Sequence, residues 1–250
     1  PDLKYFFNEK VVGIYWANYR LATVMSLVIA AFKFSWTPYF LNLSDHPENK
    51  KIISNIFTYF CFAGLSMFLI FSLLIDQFVQ INILGFQFLD TNYMYGLTIV
   101  PLVLLAYFFS GAYSTMNAAP FFTDKTFLIL FISITGLLIN TALNFLLIPI
   151  LEMNGAALST LITYLAMFLI MYYYSQKIYK IDYEWKKIFR IGLLTAVFFL
   201  ISYFAVNNIT DSNSIKIILN FLLISIFFFV INSTGIIKLR SVMNVIFKKK

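Results

Sequence analysis

The stretch INTALNFLLIPILEMNGAALST, residues 139–160, decides how the whole chain is read. It begins as an apolar helix carrying two amides, Asn140 and Asn144, one turn apart and therefore on one face. Pro149 and the run Glu152, Met153, Asn154, Gly155 then interrupt it. The chain restarts at once as a second apolar helix whose first turn is small: Ala156, Ala157, Ser159 and Thr160. In a water-soluble protein this would be two core helices and a turn. Here the chain on both sides is equally apolar, so the expectation is a hairpin of two membrane-spanning helices.

Composition points the same way. The chain is 61% hydrophobic and 12% charged, with a mean hydropathy of +0.84, whereas an ordinary soluble domain is about 25% charged. Runs of about 18 to 20 apolar residues are what helices need to cross a bilayer. The alternation of apolar and polar residues that a membrane barrel requires is absent. The expected fold class is all-α integral membrane: a polytopic helical bundle forming one transmembrane domain over residues 1–250. Seven apolar spans can be drawn, at about residues 11–34, 52–75, 97–119, 127–147, 156–174, 188–206 and 215–231.

Lys and Arg concentrate in short cytoplasmic loops, which orients these spans. The loops after spans one, three and five, with the tail, hold Lys50, Lys51, Lys125, Lys177, Lys180, Lys186, Lys187, Arg190, Lys238, Arg240, Lys248, Lys249 and Lys250. The alternate side holds Lys4, Lys10 and Lys216, while Arg20 and Lys33 lie within the first span. The asymmetry places the start of the chain outside and its C-terminus in the cytoplasm. Tyr172, Tyr173, Tyr174, Tyr179, Tyr183 and Trp185 flank the most basic loop, as an interfacial aromatic belt does. The tail lysines read as a topology signal and a contact for anionic membrane lipids.

Several function classes are disfavoured. The net charge of +7 does not imply nucleic acid, because no soluble module presents the basic residues. Cys61 sits inside an apolar run and His46 in a polar loop beside Pro47, so no disulfide or zinc framework exists. There is no Ser-His-Asp or Cys-His set, no metal-ligand cluster, no phosphate-cradling loop and no paired carboxylates; neither a metal nor a cofactor is expected. The outside loops, residues 85–95, 150–155 and 207–214, are short for a membrane polymerase or ligase, and Asp76, Asp90 and Glu152 at the outer ends read as solvated. Enzymatic activity is not expected. The chain starts at Pro1 and shows no signal peptide, which suggests that it begins partway through a larger protein.

An ionisable side chain within a span is costly and normally faces protein, water or substrate. Arg20 and Lys33 are the two clear cases. Thirteen residues of straight helix separate them by about 20 Å in height and about 220° in rotation, so each could instead snorkel to its own interface. Asn18, Tyr19, Thr23 and Ser26 accompany Arg20, and Thr141, Ser159, Thr160 and Thr163 accompany the two amides. These polar groups read either as the lining of a hydrophilic cavity or as helix-to-helix hydrogen bonds. Pro38, Pro101 and Pro149 would kink or end their helices, as the moving helices of transporters often require.

Three stretches carry a family resemblance. Val12-Gly13-Ile14-Tyr15 with Tyr19-Arg20, running to Trp36-Thr37-Pro38, resembles a VGIY…Y(K/R) segment leading into a helix that ends W-x-P. Asn140 and Asn144 with Leu147-Ile148-Pro149 and Gly155-Ala156-Ala157 resemble an N…LN…LIP…G..GAA signature. The run from Tyr179 to Lys186, YKIDYEWK, is similar to the loop before the last two helices. In this order they resemble the Wzx-type polysaccharide flippases of the multidrug/oligosaccharidyl-lipid/polysaccharide exporter superfamily.

That resemblance implies helices eight to fourteen of a fourteen-helix carrier: the second of two six-helix lobes plus two trailing helices, the first lobe being absent. It implies alternating-access transport of an undecaprenyl-pyrophosphate-linked oligosaccharide from the cytoplasmic to the outer leaflet of the bacterial cytoplasmic membrane, for surface polysaccharide such as O-antigen or lipopolysaccharide. Membrane lipids and other polysaccharide-assembly proteins are the further partners it suggests. Arg20 is the first candidate for a cavity cation and Lys33 the second, with Tyr19, Asn140 and Asn144 as further substrate-binding candidates and Pro38, Pro149 and Gly155 as conformational hinges. The alternatives are a cation-coupled drug or metabolite exporter of the same superfamily, and a membrane glycosyltransferase, polymerase or ligase.

Overall fold

A computed structural model describes residues 9–80, 82–83, 86–87, 91–206, 209 and 212–236. Lys4, Asp90, Lys238, Arg240 and the three terminal lysines, which entered the charge reading, lie outside the described residues. The chain opens with two long helices, α1 (Glu9–Leu41) and α2 (Asn49–Gln80), joined by a tight turn. A two-residue strand pair, β1 (Asn82–Ile83) and β2 (Phe86–Gln87), follows, with Asn82 opposite Gln87 and Ile83 opposite Phe86. A 3₁₀ helix (Thr91–Thr98) then leads into α3 (Ile99–Thr115) and the short α4 (Ala118–Phe122). The remaining elements are α5 (Phe127–Ile178), α6 (Trp185–Ile201), a π-helical turn (Ser202–Val206) and α7 (Asn213–Ser233).

Among the described residues, six helical stretches are long and apolar enough to cross a membrane. One of them, α5, has 52 residues. As a straight helix it would be about 78 Å long, more than twice the roughly 30 Å of a bilayer's hydrocarbon core. It does not run straight. Glu152 has φ 51° and ψ −128°, and this single residue turns the chain back on itself. Asn140 donates to Thr163 at 3.2 Å, and a Cβ on Gly136 would lie 2.5 Å from the Met167 sulfur. Both pairs are centred on residues 151–152, as an antiparallel hairpin requires. Gly155 makes the tight end possible: a Cβ there would run into the carbonyl of Leu147 and stand 2.9 Å from the Ile148 nitrogen. The expected hairpin is therefore present, with its turn narrowed from residues 152–155 to Glu152 alone.

Pro149 lies within the first limb, and Pro38 lies within α1, which continues to Leu41. The third expected span, residues 97–119, is broken at its end by the turn between α3 and α4. The stretch 85–95, expected as an outside loop, includes β2 and the start of the 3₁₀ helix.

Side chains are distributed as they are in a bilayer. Phe34 is 85% exposed, and Phe131, Leu137, Leu138, Phe145, Leu146 and Ile150 form an open apolar face on the first limb of α5. Asn18, Ser159, Thr163 and Asn220 are buried. With lipid as solvent, apolar surface gains nothing by hiding, while polar groups must find partners between helices. The protein is an all-α polytopic membrane protein.

The chain divides into two units. The first holds residues 1–60 and 82–183: α1, the start of α2, the strand pair, α3, α4 and α5. In it α3 packs between α1 and α5, with Gly111 against Phe60 and Ile29. At the 3₁₀ helix, Asn18 of α1 donates to the Tyr93 carbonyl at 2.8 Å, and the absent side chain of Gly96 leaves room for it. The loop after α5 is fixed to the start of α2 by Tyr179 donating to Asn49 (2.8 Å) and Ser54 donating to the Asp182 carbonyl (2.8 Å). Burial, and then the neighbouring Tyr172, push the hydroxyl of Tyr183 in this loop well above the usual tyrosine range, so it stays neutral.

The second unit holds residues 61–81 and 184–250. Its helices meet along a polar seam. Asn213 of α7 donates to Gln80 of α2 (2.6 Å), Lys216 is the charged neighbour of Asp76, and Asn220 donates to the Leu73 carbonyl (2.6 Å). Asn220 also accepts from Ser202 of the π turn at 2.8 Å. Residues 213, 216 and 220 share one face of α7, so the seam follows from helical periodicity.

Candidate substrate-binding site

The sequence candidates for substrate binding fall on α1 and the first limb of α5, and α3 and the second limb of α5 add neighbours to them, all in the first unit. On α1, Tyr19, Ser26 and Lys33 recur every seven residues, which keeps them close to one face. That face meets α3. The Tyr19 hydroxyl is 2.9 Å from the Tyr107 hydroxyl, and Lys33 Nζ donates to Ser110 Oγ at 3.3 Å. Tyr107 and Ser110 are one turn apart on α3. Tyr164, from the second limb of α5, has its hydroxyl close to both Ser110 and Tyr107. Three neighbouring helices therefore contribute one row: Tyr19, Tyr107, Tyr164, Ser110 and Lys33. All but Ser110 are half-buried, so the row is open along one side.

Among the described residues the salt bridges are Lys51 to Glu48 at 3.8 Å and Lys187 to Glu184 at 2.5 Å. Neither Lys33 nor Arg20 has a carboxylate within that reach among the described residues. A half-buried ammonium within a span, held by one neutral hydroxyl, is an uncompensated charge whose cost an anion would offset.

Arg20 is placed differently. Its side chain is exposed, on the face of α1 that also carries Trp16, Val24 and Leu27. Its carbonyl accepts from Thr23 at 2.6 Å, which in turn accepts from Ser26 at 2.7 Å. The structure thus puts the two α1 cations on different faces, as the rotation between them required.

The two amides of α5 serve the hairpin. Asn144 donates to Asn140 (3.2 Å), Asn140 to Thr163 (3.2 Å), and Thr163 to the Ser159 carbonyl (2.7 Å). Of the two readings open for them, this arrangement supplies the helix-to-helix hydrogen bonds. Tyr107, Ser110 and Tyr164 were not singled out from sequence. Their signal was a polar stripe, Tyr107, Ser110 and Ser114, along one face of an otherwise apolar α3, with Thr160 and Tyr164 one turn apart on α5.

This arrangement of helices is shared with a solved flippase. The chain superposes on the structure titled "Lipid II flippase MurJ, inward closed conformation" with a TM-score of 0.69 over 94% of its length. Sequence identity is 16%, so the likeness is one of fold. The chain spans 50% of that structure. No family model and no curated protein sequence matches it.

Proposed function

We propose that this protein is a flippase that moves an undecaprenyl-pyrophosphate-linked oligosaccharide repeat unit across the bacterial cytoplasmic membrane by alternating access, for surface polysaccharide synthesis. The observation that carries this reading is Lys33, a cation within a span with no carboxylate partner among the described residues, beside the hydroxyls of Ser110, Tyr164, Tyr107 and Tyr19. A pyrophosphate-linked sugar headgroup cannot cross hydrocarbon unaided, because its charges and hydroxyls would lose their hydration. A fixed ammonium offsets the phosphate charge, and a row of hydroxyls replaces water around the sugar, while the polyprenyl tail stays in lipid.

The fold shared with a lipid II flippase supports a carrier of lipid-linked substrates. On this reading the chain is the second lobe and two trailing helices of a fourteen-helix carrier of the exporter superfamily, with its C-terminus in the cytoplasm and no catalytic role. Other polysaccharide-assembly proteins are its expected partners.

The test uses cells lacking the gene, with lipid-linked repeat units labelled on each side of the membrane. Loss of surface polysaccharide with repeat units trapped in the cytoplasmic leaflet is the expected result. Unchanged polysaccharide with impaired drug or metabolite efflux would favour an exporter of the same superfamily. Repeat units that cross but are not extended or ligated would favour a glycosyltransferase, polymerase or ligase.

A further inference from the structure

A face of α1 beside the Tyr19 end of the row, turned away from Lys33, carries a second group suited to a sugar phosphate. Trp16 and Arg20 are one turn apart on it, and both are exposed, Trp16 to 46%. The backbone beneath them is firmly held. Asn18 is tied to the Tyr93 carbonyl, and Tyr19 is held by the Tyr107 hydroxyl. Trp16 is braced edge-on by Tyr15 and Tyr19, with ring centroids 5.8 and 5.6 Å away. An indole face packs against the C–H face of a sugar ring, and a guanidinium offers two parallel donors to a phosphate. Below this pair the exposed side chains on the same face, Val24, Leu27, Val28 and Phe34, are apolar. The combination is confined to one end of the helix.

We infer that Trp16 and Arg20 form a second station for the same sugar-pyrophosphate headgroup, used after Lys33 and nearer the outer leaflet. This inference rests on the flippase reading and its orientation. The two α1 cations stand about 20 Å apart in height and on different faces, so one headgroup phosphate cannot engage both at once. They act in succession: Lys33 takes the pyrophosphate while the site faces the cytoplasm, and Arg20 receives it as the site opens outward, with the first sugar stacked on Trp16. Trp16 is a binding and specificity residue here rather than a membrane anchor.

The experiment separates loading from crossing. The full-length protein is reconstituted in proteoliposomes with a fluorescent polyprenyl-pyrophosphoryl disaccharide; loading is read by photocrosslinking and crossing by membrane-impermeant quenching. Trp16→Ala and Arg20→Ala are expected to load within about twofold of wild type and to cross about tenfold more slowly, whereas Lys33→Ala loses loading. Trp16→Phe, which keeps a stacking face and an anchor's hydrophobicity, restores at least about half the rate, and Trp16→Leu, which keeps the hydrophobicity alone, does not. Crossing at the wild-type rate in Trp16→Ala, or rescue by leucine as full as by phenylalanine, would reduce Trp16 to an interfacial anchor and overturn the inference. Loss of loading in Trp16→Ala as in Lys33→Ala would also overturn it, in favour of one undivided site. If wild type neither loads nor moves the probe, the flippase reading itself has failed, a result distinguishable from all of these.

Discussion

Replacing Gly155 by alanine tests the hairpin on which the first unit is built. The new Cβ would stand 2.6 Å from the Leu147 carbonyl carbon and 2.9 Å from the Ile148 nitrogen. These are backbone atoms, which cannot rotate away as a side chain does. Ordinary contact needs at least 3.4 Å, so the limbs must part by most of an ångström next to the turn. Overpacking of this kind costs about 1–3 kcal/mol. Parting the limbs also lengthens the Asn140 to Thr163 hydrogen bond, 3.2 Å at present, and such a bond between membrane helices contributes about 0.6 kcal/mol. The expected loss is therefore about 1.5–3.5 kcal/mol. Gly192→Ala is the control, because its Cβ would meet nothing within 4 Å; it should be neutral or stabilise α6 by up to about 1 kcal/mol. Reversible unfolding in mixed micelles, with all variants at equal concentration, measures both. If Gly155→Ala proved as stable as Gly192→Ala, the limbs would not approach as described and the hairpin geometry would be wrong.

Three further outcomes follow from particular residues. Glu152→Gly should stabilise the protein by about 0.5–1.5 kcal/mol, because its positive φ is strained for a side chain but ordinary for glycine, less glycine's own entropic cost; Glu152→Ala, which keeps a Cβ, should show no such gain in the same unfolding assay. Asn220→Leu removes the acceptor of Ser202 and the side-chain donor to the Leu73 carbonyl. It should cost about 1–2 kcal/mol, measured as a lower unfolding midpoint and earlier hydrogen exchange in α7. The Tyr19–Tyr107 pair should show a coupling of about 0.5–1.5 kcal/mol in a double-mutant cycle of phenylalanine variants, and additive losses would mean that the hydroxyls do not meet.

Much of the fold was legible because a bilayer leaves few choices. Pro149 and the polar run after it marked the reversal between two apolar helices, and the amides Asn140 and Asn144 lay where a partner limb could reach them. The position of the turn was not legible to the residue, since Glu152 adopts a backbone conformation that its side chain disfavours. Contacts between helices were harder. Periodicity says which residues share a face and not which helix the face meets, so the partners of Tyr19 and Lys33 on α3 emerged only with the packing. Ser110 was overlooked because serine is common in membrane helices as a packing residue. The polar seam of α7 escaped for a related reason: Lys216 was counted only as a charge of the outer side, which hid its spacing with Asn213 and Asn220. Arg20 ranked first among the cations on family resemblance, while packing gives Lys33 the polar neighbours.

The central claim is that Lys33 carries the charge of a lipid-linked headgroup through the membrane. The most direct measurement is the rate at which the full-length protein moves a fluorescent polyprenyl-pyrophosphoryl disaccharide between leaflets of proteoliposomes, comparing wild type, Lys33→Ala and Lys33→Arg at equal protein content. The account predicts a loss of at least about tenfold with alanine and substantial retention with arginine. Transport by the alanine variant at the wild-type rate would contradict it.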